Sequence, residues 1–204
     1  MLLEPFIIDG GLEIYKTVVG PIDNNVYVLR CSDTGESLLI DAASEHQTLL
    51  EISRDLKVKT VLETHGHWDH IGAVEQFRLS GYSVGVTSGD SEMLPSYDYL
   101  IDDEETIAVG KLRIKTLKTP GHTPGSACFA VSGHPILLSG DTLFPGGPGA
   151  TNFKGGDFPT IIDSIESKIF SRFPSDTIVL PGHGLHTTIG EESFKLPEWI
   201  ARGW

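Results

Sequence analysis

Between Thr64 and His70 the chain reads Thr64-His65-Gly66-His67-Trp68-Asp69-His70, which places His65, His67, Asp69 and His70 within six residues. Imidazole and carboxylate groups crowded at that density are costly to pack unless a cation lies among them, and both groups ligate divalent metals. A solitary histidine says little, because it is commonly a hydrogen-bonded surface or core residue. Three further segments repeat one pattern, an apolar run that stops at a potential ligand beside glycine. They are Thr119-Pro120-Gly121-His122-Thr123-Pro124-Gly125, Leu138-Ser139-Gly140-Asp141-Thr142 and Leu180-Pro181-Gly182-His183-Gly184. Each alone also reads as a turn with a solvated histidine or a capping aspartate. Together the four segments offer five histidines and two aspartates, an inventory for two cations. A lone structural zinc needs four protein ligands, usually including cysteine, and no cysteine lies in these loops.

Two divalent cations roughly 3.5 to 4 Å apart can share a hydroxide, bring the pKa of its parent water toward neutrality and polarise a carbonyl. Positive charge left at the site stabilises an anionic tetrahedral intermediate where it forms. A thiolate, whose conjugate acid has a pKa of about 8.5, departs without a general acid, whereas an amine does not. The ligand set therefore predicts a metal-dependent hydrolase of a small acyl thioester, attacked by a metal-bridging hydroxide, with Asp69 and Asp141 as its catalytic carboxylates. Zinc is the first expectation for both ions; iron and manganese accept the same mixed ligands.

Such groups converge only if strands and helices bring their loops together. Strands are predicted at Phe6 to Ile8, Leu12 to Val19, Val26 to Cys31 and Leu38 to Ile40, separated by glycine-rich turns. A helix over Ser44 to Lys57, with Ser44 as N-cap, precedes a strand from Val58 to Leu62 that runs into the first histidine cluster. A helix over Ile71 to Leu79 and a strand over Val84 to Thr87 follow. The second half repeats the theme, with strands at Leu112 to Leu117, Ala127 to Val131, Ile136 to Leu138 and Thr177 to Leu180. A helix spans Thr160 to Phe170, after a long Gly146 to Gly156 loop of the kind that tends to be functional. Strands and helices alternate without a linker, so the fold class is α/β, mixed sheets covered by helices.

The 204 residues carry a formal net charge of −13 and no run of lysine or arginine. No surface field favours nucleic acid or an anionic membrane; the expected partner is a small-molecule substrate, and oligomeric state stays open. The N-terminal segment carries Glu4 and Asp9 and no basic region, unlike a secretory signal. Cys31 and Cys128 lie in apolar stretches and read as buried strand residues, consistent with a cytoplasmic setting.

The four motifs, in this order and spacing, resemble those of the metallo-β-lactamase superfamily, and within it the glyoxalase II-like hydroxyacylglutathione hydrolases. The resemblance spans the early strands through Gly184. It implies a four-layer αββα sandwich with a dinuclear site at the edge of its two sheets. It also implies that His65, His67 and His122 hold one metal, that Asp69, His70 and His183 hold the other, and that Asp141 bridges them. Asp41 matches a family aspartate that supports the ligand loop, although capping the following helix accounts for it equally well. In the family a basic residue often follows the Gly-x-Gly after Gly140-Asp141-Thr142-Leu143-Phe144 and helps hold glutathione, and a helical C-terminal domain adds basic contacts. Here Ala150 occupies that place, and twenty residues follow Gly184. One metallo-hydrolase domain over 1–204 is expected, without the helical domain and poorly tuned to glutathione thioesters. Lys154 is a candidate replacement for the missing charge, against the ordinary reading of a solvated loop lysine. Trp68 and Phe144 are candidates to line the pocket; Asn24 and Tyr27 read as turn and core residues; His46, His134 and His186 read as solvated. The resemblance also leaves room for a lactone or other ester hydrolase, a mononuclear iron persulfide dioxygenase, and a non-catalytic metal-binding protein.

Overall fold

The computed structural model describes residues 4–203; Met1 to Leu3, the start of the segment weighed above as a leader, and Trp204 lie outside them. Short blocks rich in Ile, Val and Leu alternate with turns at Gly10-Gly11, Gly20-Pro21 and Asp33-Thr34-Gly35, so the chain folds back on itself repeatedly. The result is an antiparallel meander of β1 (Ile7–Asp9), β2 (Leu12–Val19), β3 (Asn24–Cys31) and β4 (Ser37–Ile40). Beyond it, α1 (His46–Asp55) and α2 (Val74–Leu79) act as crossovers, and β5 (Val58–Leu62), β6 (Ser83–Thr87) and β7 (Tyr99–Ile101) add in parallel. This sheet has seven strands in chain order.

A second sheet starts with antiparallel β8 (Thr106–Val109), β9 (Leu112–Lys118), β10 (Ala127–Val131) and β11 (Ile136–Gly140). A separate ribbon of β12 (Leu143–Phe144) and β13 (Gly147–Pro148) follows, then α3 (Phe158–Ser164), which continues as a π-helix over Ile165–Phe170. β14 (Ile178–Pro181) returns parallel to β11, and β15 (Thr187–Thr188) pairs on its outer side, before α4 (Ile189–Glu192) and α5 (Leu196–Arg202).

The period-two alternation of strands explains the layering. In β3, Leu29 points between the sheets beside Leu38, Phe129 and Leu138, whereas Val28 faces the outer layer of Leu49, Ile52 and Phe77. In β10, Phe129 faces inward while Cys128 joins Ile161, Ile165 and Trp199 under the helices of the other side. Three apolar layers thus separate four layers of structure, the αββα sandwich of the metallo-β-lactamase fold. Cys31 and Cys128 are both buried, and burial pushes the Cys128 thiol up to about 11.

Several local expectations are corrected. Ser44 is not the N-cap of the first helix: Glu45 takes that place with φ 48°, and its carboxylate accepts from Gly20 N at 3.0 Å instead of capping. The helix expected from Ile71 begins at Val74, because the chain from His67 to Val74 is spent on turns, His70 N to His67 O and Val74 N to Ile71 O. The later helix begins at Phe158, two residues before Thr160, because Asp157 accepts from Thr160 N at 2.9 Å and caps it. β3 starts at Asn24, since Asn25 N donates to Gly182 O at 2.7 Å and extends the pairing beyond Val26.

Candidate metal centre

The ends of β5, β9, β11 and β14 lie along one edge of the sandwich, and each releases one of the four motif loops. Parallel pairing of β11 with β14 carries Asp141 and His183 out on the same side. Thr64 O accepts from Ala127 N at 2.8 Å, which ties the first histidine loop to the second sheet. Gly182 permits the last loop to close in, because a Cβ there would overlap the Asp141 carboxylate and the His70 ring.

All seven side chains singled out from the sequence meet here. The His65, His67 and His122 rings form one cluster with centroid separations of 4.5 to 4.8 Å. Asp69 Oδ2 lies 3.2 Å from both His70 Nε2 and His183 Nε2, which define a second cluster. Asp141 faces both: its oxygens are 3.7 Å from His122 Nε2, 3.5 Å from His70 Nε2 and 3.6 Å from His183 Nε2. Among the described residues three groups could hold a cation, namely His65, His67 and His122; His65, His70 and Asp141; and Asp69, His70 and His183. The candidate ligand atoms within each group lie within 4.8 Å of one another.

His65 Nε2, His122 Nε2 and Asp141 Oδ1 are buried without a hydrogen-bond partner in the protein. Leaving such atoms unpaired costs about 1 to 3 kcal/mol each; the two nitrogens belong to the three-histidine cluster, and Asp141 Oδ1 lies at its border with the second, 3.5 Å from His70 Nε2. Their donor chemistry fits a divalent cation.

The surrounding groups fix the rings. Asp41, with φ 64°, accepts from Thr64 N at 2.7 Å and Thr64 Oγ1 at 2.9 Å and lies 2.8 Å from His70 Nδ1, so its carboxylate is engaged by the ligand loop and not by α1. His122 Nδ1 bonds Ala150 O at 2.7 Å, and His183 Nδ1 bonds Ile22 O at 3.1 Å; each leaves Nε2 turned toward the site. Asn24, expected as a turn residue, belongs to this shell, and Tyr27, a core residue as expected, reaches it through its hydroxyl. Asn24 Nδ2 donates to Asp69 Oδ2 at 2.8 Å, and Tyr27 Oη donates to Pro181 O at 2.9 Å. Asp90 also belongs to this shell. Fully buried, it accepts from Gly66 N at 2.8 Å, Thr123 Oγ1 at 2.6 Å and Gly125 N at 2.7 Å, joining the His65–His67 loop to the His122 loop. A Ser88-Gly89-Asp90 turn gives no sequence signal for such reach.

Electrostatics divide the clusters. Burial, then the neighbouring His70, holds His65 well below the ordinary imidazole range; burial and His122 lower His67 as well. In the second cluster burial would also lower the imidazoles, but Asp141 and Asp41 overcome it at His70, and Asp69 with Asp141 overcome it at His183. Both are raised. Burial would raise Asp69 and Asp141, yet His183 and His70 bonds at Asp69, and the His70 charge at Asp141, keep both well below the usual carboxylate range.

Trp68 borders the cleft with Ile22 and Phe153, and Phe144 lines its other side. Lys154 is exposed beside Phe153 and lines neither side. His46 and His186 are exposed and outside the cluster. His134, expected to be solvated, is half-buried and lies 2.7 Å from Asp9 Oδ2, also away from the site. Among the described residues no helix is long and apolar enough to cross a membrane.

A family model for the metallo-beta-lactamase superfamily matches residues 19–183. The chain is 33% identical to hydroxyacylglutathione hydrolase GloC of Haemophilus influenzae, over 81% of this chain and 88% of that one. It is 31% identical to the human mitochondrial persulfide dioxygenase ETHE1, over 81% of this chain and 67% of that one. The solved structure of BLEG-1 B3 metallo-beta-lactamase superposes with a TM-score of 0.80 at 31% identity, covering 91% of this chain and 98% of that one. The fold, the convergence of the four motif loops and these similarities agree: the chain belongs to the metallo-β-lactamase superfamily.

Proposed function

We propose that this chain is a metal-dependent thioester hydrolase in which His65, His67 and His122 hold one cation, Asp69, His70 and His183 hold a second, and Asp141 contacts both. The observation that carries this reading is the convergence of buried, unpartnered His65 Nε2, His122 Nε2 and Asp141 Oδ1 beside a carboxylate–imidazole cluster at an open cleft. Two divalent cations bound there supply a Lewis acid for a carbonyl and acidify water toward neutrality. Zinc is the first expectation, and iron or manganese suits the same donors.

The protein's own groups favour a good leaving group. Asp69 and Asp141 are held as carboxylates, so neither offers a proton to a departing atom. A thiolate, with a conjugate-acid pKa of about 8.5, leaves without one. Asn24 orients Asp69 from one side while the Ile22 carbonyl orients His183 from the other, which keeps both facing the cleft. Resemblance to a hydroxyacylglutathione hydrolase supports the same reaction class. The test is thiol release from a simple acyl thioester by protein of measured metal content, abolished by a chelator and restored by metal. Metal-loaded protein that binds two ions and releases no thiol from any thioester would overturn it.

A second reading, a persulfide dioxygenase, draws on the similarity to ETHE1. Oxygen consumption with a persulfide by iron-loaded protein, without thioester turnover, would establish it in place of the first.

A further inference from the structure

The cleft over the candidate metal centre has two lobes. One, of about 290 Å³, is lined by Ile22, Trp68 and Phe153 above the ligand side chains. The other, of about 420 Å³, is walled by Phe144, Pro145 and the Gly146–Ala150 backbone of the β12–β13 ribbon. His122, Asp141, His183 and Phe153 belong to both, so the lobes meet over the site, with Phe153 on their shared wall. Phe153 lies edge-on to His67 and His122, at centroid distances of 5.5 and 6.3 Å. A molecule with its reacting carbonyl over the ligands would therefore extend into one lobe on each side.

The chemistry of the walls says what extends there. Ile22, Trp68 and Phe153 are 48%, 66% and 55% exposed, so three large apolar side chains flank the reacting position with much of their surface in water. Surface of that kind beside a polar centre is characteristic of a ligand site, where apolar walls bind and a few polar groups orient. Among the described residues no lysine or arginine lines either lobe. The walls themselves therefore offer a substrate carboxylate no lysine or arginine to pair with, and the nearest in sequence, Lys154, is exposed beside Phe153 outside both lobes.

We infer that the cleft selects a thioester with an uncharged apolar acyl chain, seated among Ile22, Trp68 and Phe153, and an uncharged thiol portion along the β12–β13 ribbon. This rests on the thioester reading above and names the substrate class for it. The lobe is large enough for a short alkyl chain or a single aromatic ring, and its open side sets a limit on the gain from longer chains.

The experiment uses N-acetylcysteamine thioesters from acetyl to hexanoyl, with S-lactoylglutathione as the charged competitor, on metal-loaded protein. Burial of a methylene contributes up to about fourfold, so kcat/KM should climb about tenfold to a hundredfold across the four added methylenes. It should exceed kcat/KM for S-lactoylglutathione at the longer chains. Trp68→Ala and Ile22→Ala, both at exposed positions, should each lower the hexanoyl-to-acetyl ratio severalfold. Calorimetry with the unreactive thioethers S-ethyl and S-hexyl N-acetylcysteamine reads the same preference without turnover, and Trp68→Ala should weaken only the hexyl advantage. Turnover that is flat across the series, or a preference for S-lactoylglutathione, overturns the apolar lobe and leaves the hydrolase reading standing. Failure of every thioester to react, with the Trp68-dependent hexyl preference intact in calorimetry, overturns the hydrolase and keeps the lobe.

Discussion

The two halves of the candidate centre are built on opposite electrostatic plans. His65, His67 and His122 form a cluster in which burial and mutual repulsion favour neutral imidazole at the two positions from the first loop, the form that ligates a cation directly. Asp69, His70 and His183 instead pair a carboxylate with imidazoles whose pKa values burial would lower and the carboxylates of Asp141, Asp41 and Asp69 raise. Their supports differ in kind as well. The first is braced by Asp90 and the Ala150 carbonyl, the second by Asn24, the Ile22 carbonyl and Asp41, which meets His70 directly and His65 only through Thr64. The contrast teaches that one family of residues can prepare two sites of different proton demand a few ångströms apart, using burial for one and paired carboxylates for the other.

The contrast breaks most completely at Asp141, which faces both halves. Asp141→Ala is expected to cut kcat/KM by well over the roughly 100-fold that loss of a supporting group costs, with the far-ultraviolet circular dichroism retained. Near-normal turnover with two bound metals would remove Asp141 from its role. Next in size are the two braces. Asp90→Ala and Asp41→Ala should each weaken metal affinity about 10- to 100-fold, Asp90 at the three-histidine cluster and Asp41 at the other. A stepwise metal titration separates them. If both variants weaken the same step, the halves are not independently supported. Asn24→Ala removes one hydrogen bond to a charged group, worth about 1.5 to 3 kcal/mol, and should lower turnover by about tenfold at least while leaving the three-histidine step of the titration unchanged.

A control far from both halves comes from pH. Arg172 and Lys115 hold Glu104 down at about 2. Because the folded value is depressed, the ion pair stabilises the protein above the ordinary glutamate range of about 4.3 and that stabilisation fades as pH falls toward about 2. These side chains are 32% to 41% exposed, so solvent screening keeps the contribution below about 1 kcal/mol. Glu104→Gln should lower the melting temperature slightly at neutral pH and match the wild type near pH 2. A gap that widens on acidification would contradict the sign. Smallest of all, His186→Ala should be silent in metal content and activity, since the exposed ring packs edge-on against Phe6, away from the ligand cluster. Loss of metal in that variant would mean the histidine of that loop has been misassigned.

The side chains that converge at the centre were legible in sequence because the candidate ligands follow a local rule, an apolar strand that ends in glycine beside a histidine or aspartate. The braces were not, because their partners are distant. Asn24 reaches Asp69 across 45 residues, Tyr27 reaches Pro181 across 154, and Asp90 reaches Thr123 across 33, and no short pattern records such pairs. Alternation of strands and helices indicated mixed sheets covered by helices, and the four-layer order was implied by the family resemblance. β7 and β8 escaped notice because they are three and four residues long and flank the acidic Asp102-Asp103-Glu104-Glu105 turn. The switch from α3 to a π-helix has no signature in Ile165-Glu166-Ser167-Lys168-Ile169-Phe170 that we can name.

The pairing of the first residues of β3 with the His183 loop bears on how the molecule folds. Asn24 and His183 meet across 159 residues, so the contact encloses nearly the whole chain between its two ends. Loop-closure entropy for such a span is only a few times RT larger than for a short turn, but it is recovered only after everything between has docked. Contacts of this separation form late and slow the search. The second half of the centre is therefore a reporter of completed folding: a cation that binds there reads a clasp between the beginning and the end of the fold, and it should add to the stability of the whole molecule and not of one sheet.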